Sequence, residues 1–186
     1  SEIEKMVIFW FSDLHEEKSI FKKITIVVDP ANGSLTGIAA DIFRKAGFGK
    51  VIEVNGKLNG NVNQWSGVAD LEGHKSIPAM MVKRGAGLFQ KHQAILKLFE
   101  LGRRHKTKIV KGEQRVCGAV FDADGDRFYR LDYDPFTDSL QVSSGDETAL
   151  LQARFLMDRD PKKYRGSIYI NTVRTIPLII NHWVFS

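Results

Sequence analysis

The amino-acid sequence predicts an α/β fold with three layers, in which helices cover both sides of a mixed, mainly parallel sheet. A second α/β unit follows, and the sequence predicts that it is truncated. Residues 24–28, Ile-Thr-Ile-Val-Val, are typical of a strand buried on both faces. Apolar residues at helical spacing come next, and residues 51–54 read as a second strand. This βαβ unit favours parallel pairing with a right-handed crossover.

The composition sets the frame for these elements. A chain of 186 residues suits one full domain and a piece of another, or one large domain, and its hydrophobic fraction of 43% supports an ordinary core. The net charge of +5 would attract phosphorylated metabolites as readily as nucleic acid. One cysteine, Cys117, excludes a disulfide framework and favours a reducing, cytoplasmic compartment. The sequence shows no signal peptide and no apolar run of membrane-spanning length, so no membrane partner is expected.

The elements of the first half are predicted from periodicity and turn residues. An amphipathic helix is expected over residues 2–20. The strand at 24–28 ends in a tight turn, residues 29–34, where Asn32 and Gly33 can adopt positive φ. The helix after this turn has its natural stop at Gly47. The turn matches neither of the common glycine-rich phosphate-binding patterns, so we interpret it as structural.

The middle of the chain gives weaker signals. Residues 55–86 show no clear period and are predicted to form a long loop. A helix is expected from Gly87 onward, and a basic run follows it. The run lacks interleaved aromatic residues, which favours a solvated helix end over a nucleic-acid surface. Its members are Arg103, Arg104, Lys106, Lys108, Lys111 and Arg115.

An acidic loop carries the chemistry of the chain. The apolar strand at residues 116–121 runs directly into Asp-Ala-Asp-Gly-Asp-Arg at 122–127. Carboxylates this close repel one another unless a cation lies among them. Oxygen ligands suit a hard ion such as Mg²⁺ or Mn²⁺. We therefore predict a metal site formed by Asp122, Asp124 and Asp126.

Three other interpretations apply to a loop of this composition. Asp and Gly are common in turns, so the loop could merely join two strands. An EF-hand is excluded, because counting from Asp122 places Arg127 where Gly is needed and Tyr133 where Glu is needed. A strand followed by Asp-x-Asp-Gly also resembles the nucleophile motif of haloacid dehalogenase-type phosphatases. That motif usually has Thr or Val in place of Asp126 and lies near the start of its domain.

The last third of the chain begins a new pattern. A strand at 128–133 and a turn at 134–139 predict a hairpin. Ser144 and Glu147 have capping-box spacing and open a helix that ends before Asp160. Another strand is expected at 167–173. The pattern predicts a boundary near residue 139, so that residues 1–139 form one domain and residues 140–186 begin a second. Both ends of the chain look cut.

The order of three stretches resembles the middle of an α-D-phosphohexomutase, the family of phosphomannomutases and phosphoglucomutases. The stretches are Val-Val-Asp-Pro-Ala-Asn-Gly at 27–33, the acidic loop at 122–127, and Ser-Gly-Asp at 144–146 before a Leu-rich helix. The acidic loop is the specific element, and the other two are supportive. Residues 1–139 would be the second domain of the family, and 140–186 the start of the third. The segment from about 55 to 110 departs from the family pattern.

This resemblance implies an intramolecular phosphotransferase acting on a hexose phosphate. Asp122, Asp124 and Asp126 would bind Mg²⁺, and Arg127 would help to hold phosphate, although its guanidinium could instead merely offset the acidic charge. The phosphoserine lies on another domain in the family, so no catalytic residue is expected here. The substrate and the missing domains of the same enzyme would be the partners. This chain alone is expected to be inactive. A magnesium-dependent phosphatase and a non-catalytic binding module remain the alternatives.

Overall fold

The computed structural model describes residues 18–84 and 88–165. The chain divides into two compact units, Ser1–Val142 and Ser143–Ser186. The first unit contains a six-stranded mixed sheet with helices around it, which confirms the α/β class. The predicted strand at 167–173 and most of the predicted helix at 2–20 lie outside the described residues.

The sheet combines a parallel part and an antiparallel part. Its strand order is β2-β1-β4-β5-β6-β3. β1 pairs in parallel with β2 and β4, whereas β4 with β5 and β3 with β6 are antiparallel pairs. Parallel pairing is thus confined to three adjacent strands, so the sheet is mixed without being mainly parallel. The strands are β1 Ile24–Asp29, β2 Lys50–Glu53, β3 Ser76–Pro78, β4 Arg115–Phe121, β5 Phe128–Asp134 and β6 Ser139–Ser143.

The helices of the first unit confirm one predicted boundary and correct another. The helix after β1 ends as predicted, with Ala46 as its cap and Gly47 at a φ of 91°. The helix predicted from Gly87 is two helices, because His92 has an extended backbone between them. The helices are α1 Lys18–Phe21, α2 Ile38–Lys45, α3 Ala79–Arg84, α4 Leu88–Lys91, α5 Gln93–Arg104 and α6 Lys106–Val110.

The prediction of one long loop over residues 55–86 is wrong in its second half. A 3₁₀ turn forms at Ala69–Leu71, β3 pairs with β6 at one edge of the sheet, and α3 follows directly. Ile77 is fully buried in β3. A strand of three residues is too short to show the alternation by which strands are recognised, so the sequence pattern misses it.

The core lies against β1 and its neighbours. Successive side chains of a strand point to opposite faces of the sheet. Ile26 and Val28 accordingly pack in a cluster with Ala39 and Ala40 of α2, while Val27 belongs to a second, larger cluster. The larger cluster includes Ile95, Leu98 and Phe99 of α5. Burial on both faces explains the β-branched, mostly apolar run that predicts this strand.

The second unit is described over residues 143–165 and begins with the predicted capping box. Ser144 Oγ accepts a hydrogen bond from Glu147 N at 3.3 Å, and Ser144 N donates to the Glu147 carboxylate at 3.1 Å. These bonds satisfy free N–H groups at the start of α7, Gly145–Arg159. A short helix α8, Pro161–Tyr164, follows. None of the helices in the described part of the chain is long and apolar enough to cross a bilayer.

An ion pair links the end of α5 to the turn between β5 and β6. Arg103 Nη2 lies 2.9 Å from Asp138 Oδ2, and Tyr133 Oη donates to Asp138 Oδ1 at 2.9 Å. The hydrogen bonds from Arg103 lower the pKa of Asp138 below its usual range. Because the folded pKa is depressed, this contribution to stability is present above the unfolded pKa and disappears as the pH falls through the folded value.

We expect Asp138→Asn to destabilise the protein by about 0.5–1 kcal/mol at pH 7, since the pair is partly exposed to solvent. Asn tolerates the positive φ of 48° at this position, so the backbone should not change. Urea unfolding at pH 7 and pH 3 measures the effect. The difference from wild type should shrink at the lower pH. An equal difference at both values would show that the charge of Asp138 is not the cause.

Candidate metal centre

The acidic loop, residues 122–127, lies at the carboxyl end of β4. β4 runs parallel to β1, with Asp29 opposite Val120, so the turn that leaves β1 and the acidic loop meet at one edge of the sheet. This is the edge at which open α/β sheets place their ligands.

Asp122 anchors the loop. Its side chain is 4% exposed, and Oδ1 accepts backbone hydrogen bonds from Gly125 at 3.1 Å and Arg127 at 3.0 Å. Arg127 Nε donates to Oδ2 at 2.7 Å. Gly125 has a φ of 84°, which lets the backbone turn back toward the carboxylate. The loop is therefore closed around Asp122 by its own backbone.

Asp124 and Asp126 are exposed, and they complete a cluster with Asp122. One carboxylate oxygen from each of the three residues lies within 4.8 Å of the others. In octahedral Mg²⁺ coordination each bond is about 2.1 Å, so neighbouring ligands are about 3.0 Å apart and opposite ligands about 4.2 Å apart. Small rotations of the two exposed side chains would bring the three oxygens to such spacings. The donor set therefore fits a hard divalent cation, and the structure brings together all three predicted ligands.

The electrostatics of the cluster are those of crowded carboxylates. Burial alone would raise the pKa of Asp122, but hydrogen bonds from the side chain and backbone of Arg127 outweigh it and lower the pKa to about 2. A side-chain hydrogen bond with Asp122 and the negative charge of Asp122 raise the pKa of Asp126. Arg127 therefore neutralises part of the negative charge of the three carboxylates, and a bound metal ion would neutralise the rest.

The turn after β1, residues 29–34, packs directly on the acidic loop. Ser34 N donates to the Ala123 carbonyl at 2.8 Å, and Ser34 Oγ donates to the Asp124 carbonyl at 2.8 Å. A Cβ at Gly33 would overlap the Ala123 carbonyl. Gly33 is thus needed for close approach of two backbones, which agrees with the structural interpretation of this turn.

Two buried groups that the sequence did not indicate hold the same turn in place. Asp29 is fully buried and accepts hydrogen bonds from Ala31 N at 2.9 Å, Asn55 Nδ2 at 3.1 Å and Gly67 N at 3.4 Å. Burial raises the pKa of Asp29, and these bonds and the nearby His92 oppose that rise. The ring of His92, also fully buried, lies 3.0 Å from the Gly67 carbonyl through Nε2. Apart from the bond between Ala31 and Asp29, the partners are far apart in the chain, so the local sequence does not signal these contacts.

Cys117 does not belong to the site. It lies inside β4, where burial, and to a smaller extent the charge of Asp132, raises the pKa of its thiol to about 12. A thiol with such a pKa is protonated at neutral pH and cannot serve as a thiolate nucleophile.

Comparison of the chain with protein-family models, with curated proteins and with solved structures gives no match.

We expect Gly33→Ala to loosen the acidic loop, because the new Cβ displaces the Ala123 carbonyl. Unfolding by urea should show a loss of about 1–3 kcal/mol, the usual cost of overpacking. Mn²⁺ affinity, measured by electron paramagnetic resonance of the free ion, should fall several-fold. The control is Gly112→Ala, where a Cβ meets no described atom within 4 Å and φ is 71°. Gly112→Ala should lower the free energy of unfolding only by the cost of a left-handed backbone at alanine, about 1–2 kcal/mol. Equal Mn²⁺ affinity in the two variants would contradict the assigned contact.

We expect Asp124→Asn to weaken Mn²⁺ binding by about tenfold or more, since the number of charged ligands governs the affinity of such sites. The Asp124 side chain is exposed, so unfolding in urea should be unchanged. Asp158→Asn is the matched control, because Asp158 is an exposed carboxylate on α7. Unchanged Mn²⁺ affinity in Asp124→Asn would remove the metal assignment.

Proposed function

We propose that this chain is the metal-binding part of a phosphohexomutase, an intramolecular phosphotransferase that acts on a hexose phosphate. The observation that carries the proposal is the cluster of Asp122, Asp124 and Asp126 at the carboxyl edge of parallel strands, with Arg127 fixed beside it. The packing of the turn at 29–34 on this loop adds support, because two of the three sequence stretches that resemble the family are in contact.

Each residue of the cluster has a defined task in this proposal. Asp122 is held by three hydrogen bonds, so its position does not depend on the ion. Asp124 and Asp126 are exposed and can turn toward the ion when it binds. A bound Mg²⁺ would neutralise phosphate oxygens and so assist phosphoryl transfer.

Arg127 can serve both the loop and a phosphate. Its Nε donates to Asp122, and its side chain is 56% exposed. A guanidinium carries five N–H donors, so its terminal nitrogens can still bind phosphate oxygens while Nε holds the carboxylate. Arg127 then orients the phosphate against the metal cluster. The two tasks that the sequence left as alternatives are compatible in this geometry.

The wider organisation is part of the same proposal. Residues 1–139 would form the second domain, with its sheet between two helical layers, and residues 140–186 would begin the third. The two separate apolar clusters on either side of β1 support the layered arrangement. The serine loop of the family has no counterpart in this sequence. We therefore propose that the phosphoserine is supplied by another domain and that this chain alone does not interconvert hexose phosphates.

The geometry of Asp122 argues against the phosphatase alternative. In that alternative Asp122 would attack phosphorus through a carboxylate oxygen. Both of its oxygens already accept hydrogen bonds, and the side chain is almost fully buried. An ionised carboxylate has about four lone-pair sites, and the three hydrogen bonds leave one of them, on Oδ2. A metal ion bound to Asp122 takes that site, so no lone pair is left to attack phosphorus while Mg²⁺ is bound.

We expect glucose 1-phosphate to approach the metal bound by this chain. Bound Mn²⁺ should shorten the phosphorus relaxation time of the sugar phosphate, which ³¹P NMR detects, and Asp124→Asn should abolish the effect. Arg127→Lys should weaken sugar-phosphate binding about tenfold, because the planar fork is lost while the charge is kept. Arg115→Lys is the control, since Arg115 lies at the opposite end of β4.

Two results would contradict this function. Relaxation of the phosphorus that is the same with and without the chain would show that no sugar phosphate reaches the metal. Steady hydrolysis of p-nitrophenyl phosphate by the chain with Mg²⁺ would instead support the phosphatase.

A further inference from the structure

A cavity of about 570 Å³ lies beside the turn at 29–34, on the side of the loop at 55–67. Its volume is within the range of roughly 300–1,000 Å³ found for small-molecule sites. Amide side chains dominate its lining, and Trp65 supplies an apolar wall. The amides are Asn32, Asn55, Asn59, Asn61, Gln64 and Gln93. We refer to this cavity, with its lining residues, as the amide cavity.

Some of the lining residues hold the amide cavity open through hydrogen bonds to the protein itself. Asn32 is 8% exposed and uses both ends of its amide: Nδ2 donates to the Asn61 carbonyl at 3.0 Å, and Oδ1 accepts from Lys57 N at 3.0 Å. Asn55 Nδ2 donates to the buried Asp29. These bonds fix the loop at 55–67 to the turn at 29–34, so the amide cavity exists before any ligand binds.

Backbone strain in the same region is consistent with a preformed site. Six described residues other than glycine have positive φ, and three of them line the amide cavity. Such conformations persist where the surrounding contacts hold them, often at functional sites. The three are Asn32, Asn55 and Trp65.

Other amide side chains of the lining have donors and acceptors that are available to a ligand. The side chains of Asn61 and Gln64 make no hydrogen bond to any residue that the structure describes, and both residues are exposed. Asn59 uses only Oδ1, which accepts from Asn61 N at 3.1 Å. Each free amide offers donors and an acceptor side by side, as a hydroxyl group does. The lining can therefore exchange hydrogen bonds with several hydroxyls at once.

The charge and the aromatic wall narrow the class of ligand. The charged residues of the lining are Glu53 and Lys57, so the lining itself carries no net charge. Lys91 Nζ lies 4.4 Å from the centre of the Trp65 ring and helps to hold it. A tryptophan offers a rigid apolar surface to the C–H groups of a ring.

We infer that the amide cavity binds an uncharged polyhydroxyl ligand, a carbohydrate ring, through free amides of Asn61 and Gln64 and the wall formed by Trp65. This site is separate from the acidic loop and does not rest on the proposed function. It takes a neutral sugar without a metal ion. The two sites share only the turn at 29–34, where Asn32 faces the amide cavity and Gly33 faces the acidic loop.

The test uses the whole chain, labelled with ¹⁵N, in EDTA. Methyl α-D-glucopyranoside, methyl α-D-mannopyranoside and maltotriose are the probes. At least one should shift the side-chain amide signals of Asn61 and Gln64 and the indole signal of Trp65 in a saturable manner, with a dissociation constant on the order of 1–10 mM. Gln64→Ala and Asn61→Ala should each weaken binding about fivefold to tenfold, because each removes a hydrogen bond. Gln152→Ala, at an exposed glutamine of α7, is the matched control and should change nothing.

Three outcomes would overturn this inference. The first is the absence of saturable shifts for all three sugars up to about 100 mM, where weak carbohydrate binding is still detected. The second is an equal effect of tetrahydropyran, which has the ring without hydroxyls. The third is saturable binding of inorganic phosphate at these same signals with higher affinity than the sugars. Because EDTA removes divalent cations, loss of the metal site leaves the sugar titration unaffected, and the two proposals fail separately.

Discussion

The contacts of the turn at 29–34 are the constraint on which both sites depend. Asp29 is buried at the end of β1 and accepts hydrogen bonds from the turn itself and from both ends of the loop at 55–67. An unpaired buried carboxylate would be very costly, so these bonds leave little freedom to the segments that provide them. Four residues further on, Gly33 meets the backbone of the acidic loop. One short turn thus sets the positions of a metal cluster and a cavity.

The acidic loop is held in shape by hydrogen bonds to one carboxylate, Asp122, that is removed from solvent. Asp122 is anchored by backbone groups of the residues that follow it, and Arg127 closes the loop. The remaining carboxylates stay in water, where they repel less strongly and can still respond to a cation. Because Asp122 is already fixed, binding of the ion has to order only the two exposed side chains, which limits the entropy lost.

The sequence predicted the features that depend on neighbouring residues. The capping box at Ser144, the helix stop at Gly47 and the hairpin between β5 and β6 involve residues close in the chain, and the structure contains all three. The close approach of Asp122, Asp124 and Asp126 was also predictable, because they alternate within five residues. What the sequence could not show were contacts between distant segments. The buried Asp29, the ring of His92 and the amide cavity arise only when the loop at 55–67 folds onto the turn after β1.

The hydrogen bonds of the loop at 55–67 limit how its length can change during evolution. Loops without helices or strands usually accept insertions and deletions. Here Asn55, Asn63 and Gly67 are bonded to the turn after β1, so added or lost residues near them would break contacts with buried groups. Leu58 and Gly60 lie exposed at the tip between those points. Evolutionary change of length in this loop should therefore be confined to its tip, and the two bonded ends should keep their spacing from the core.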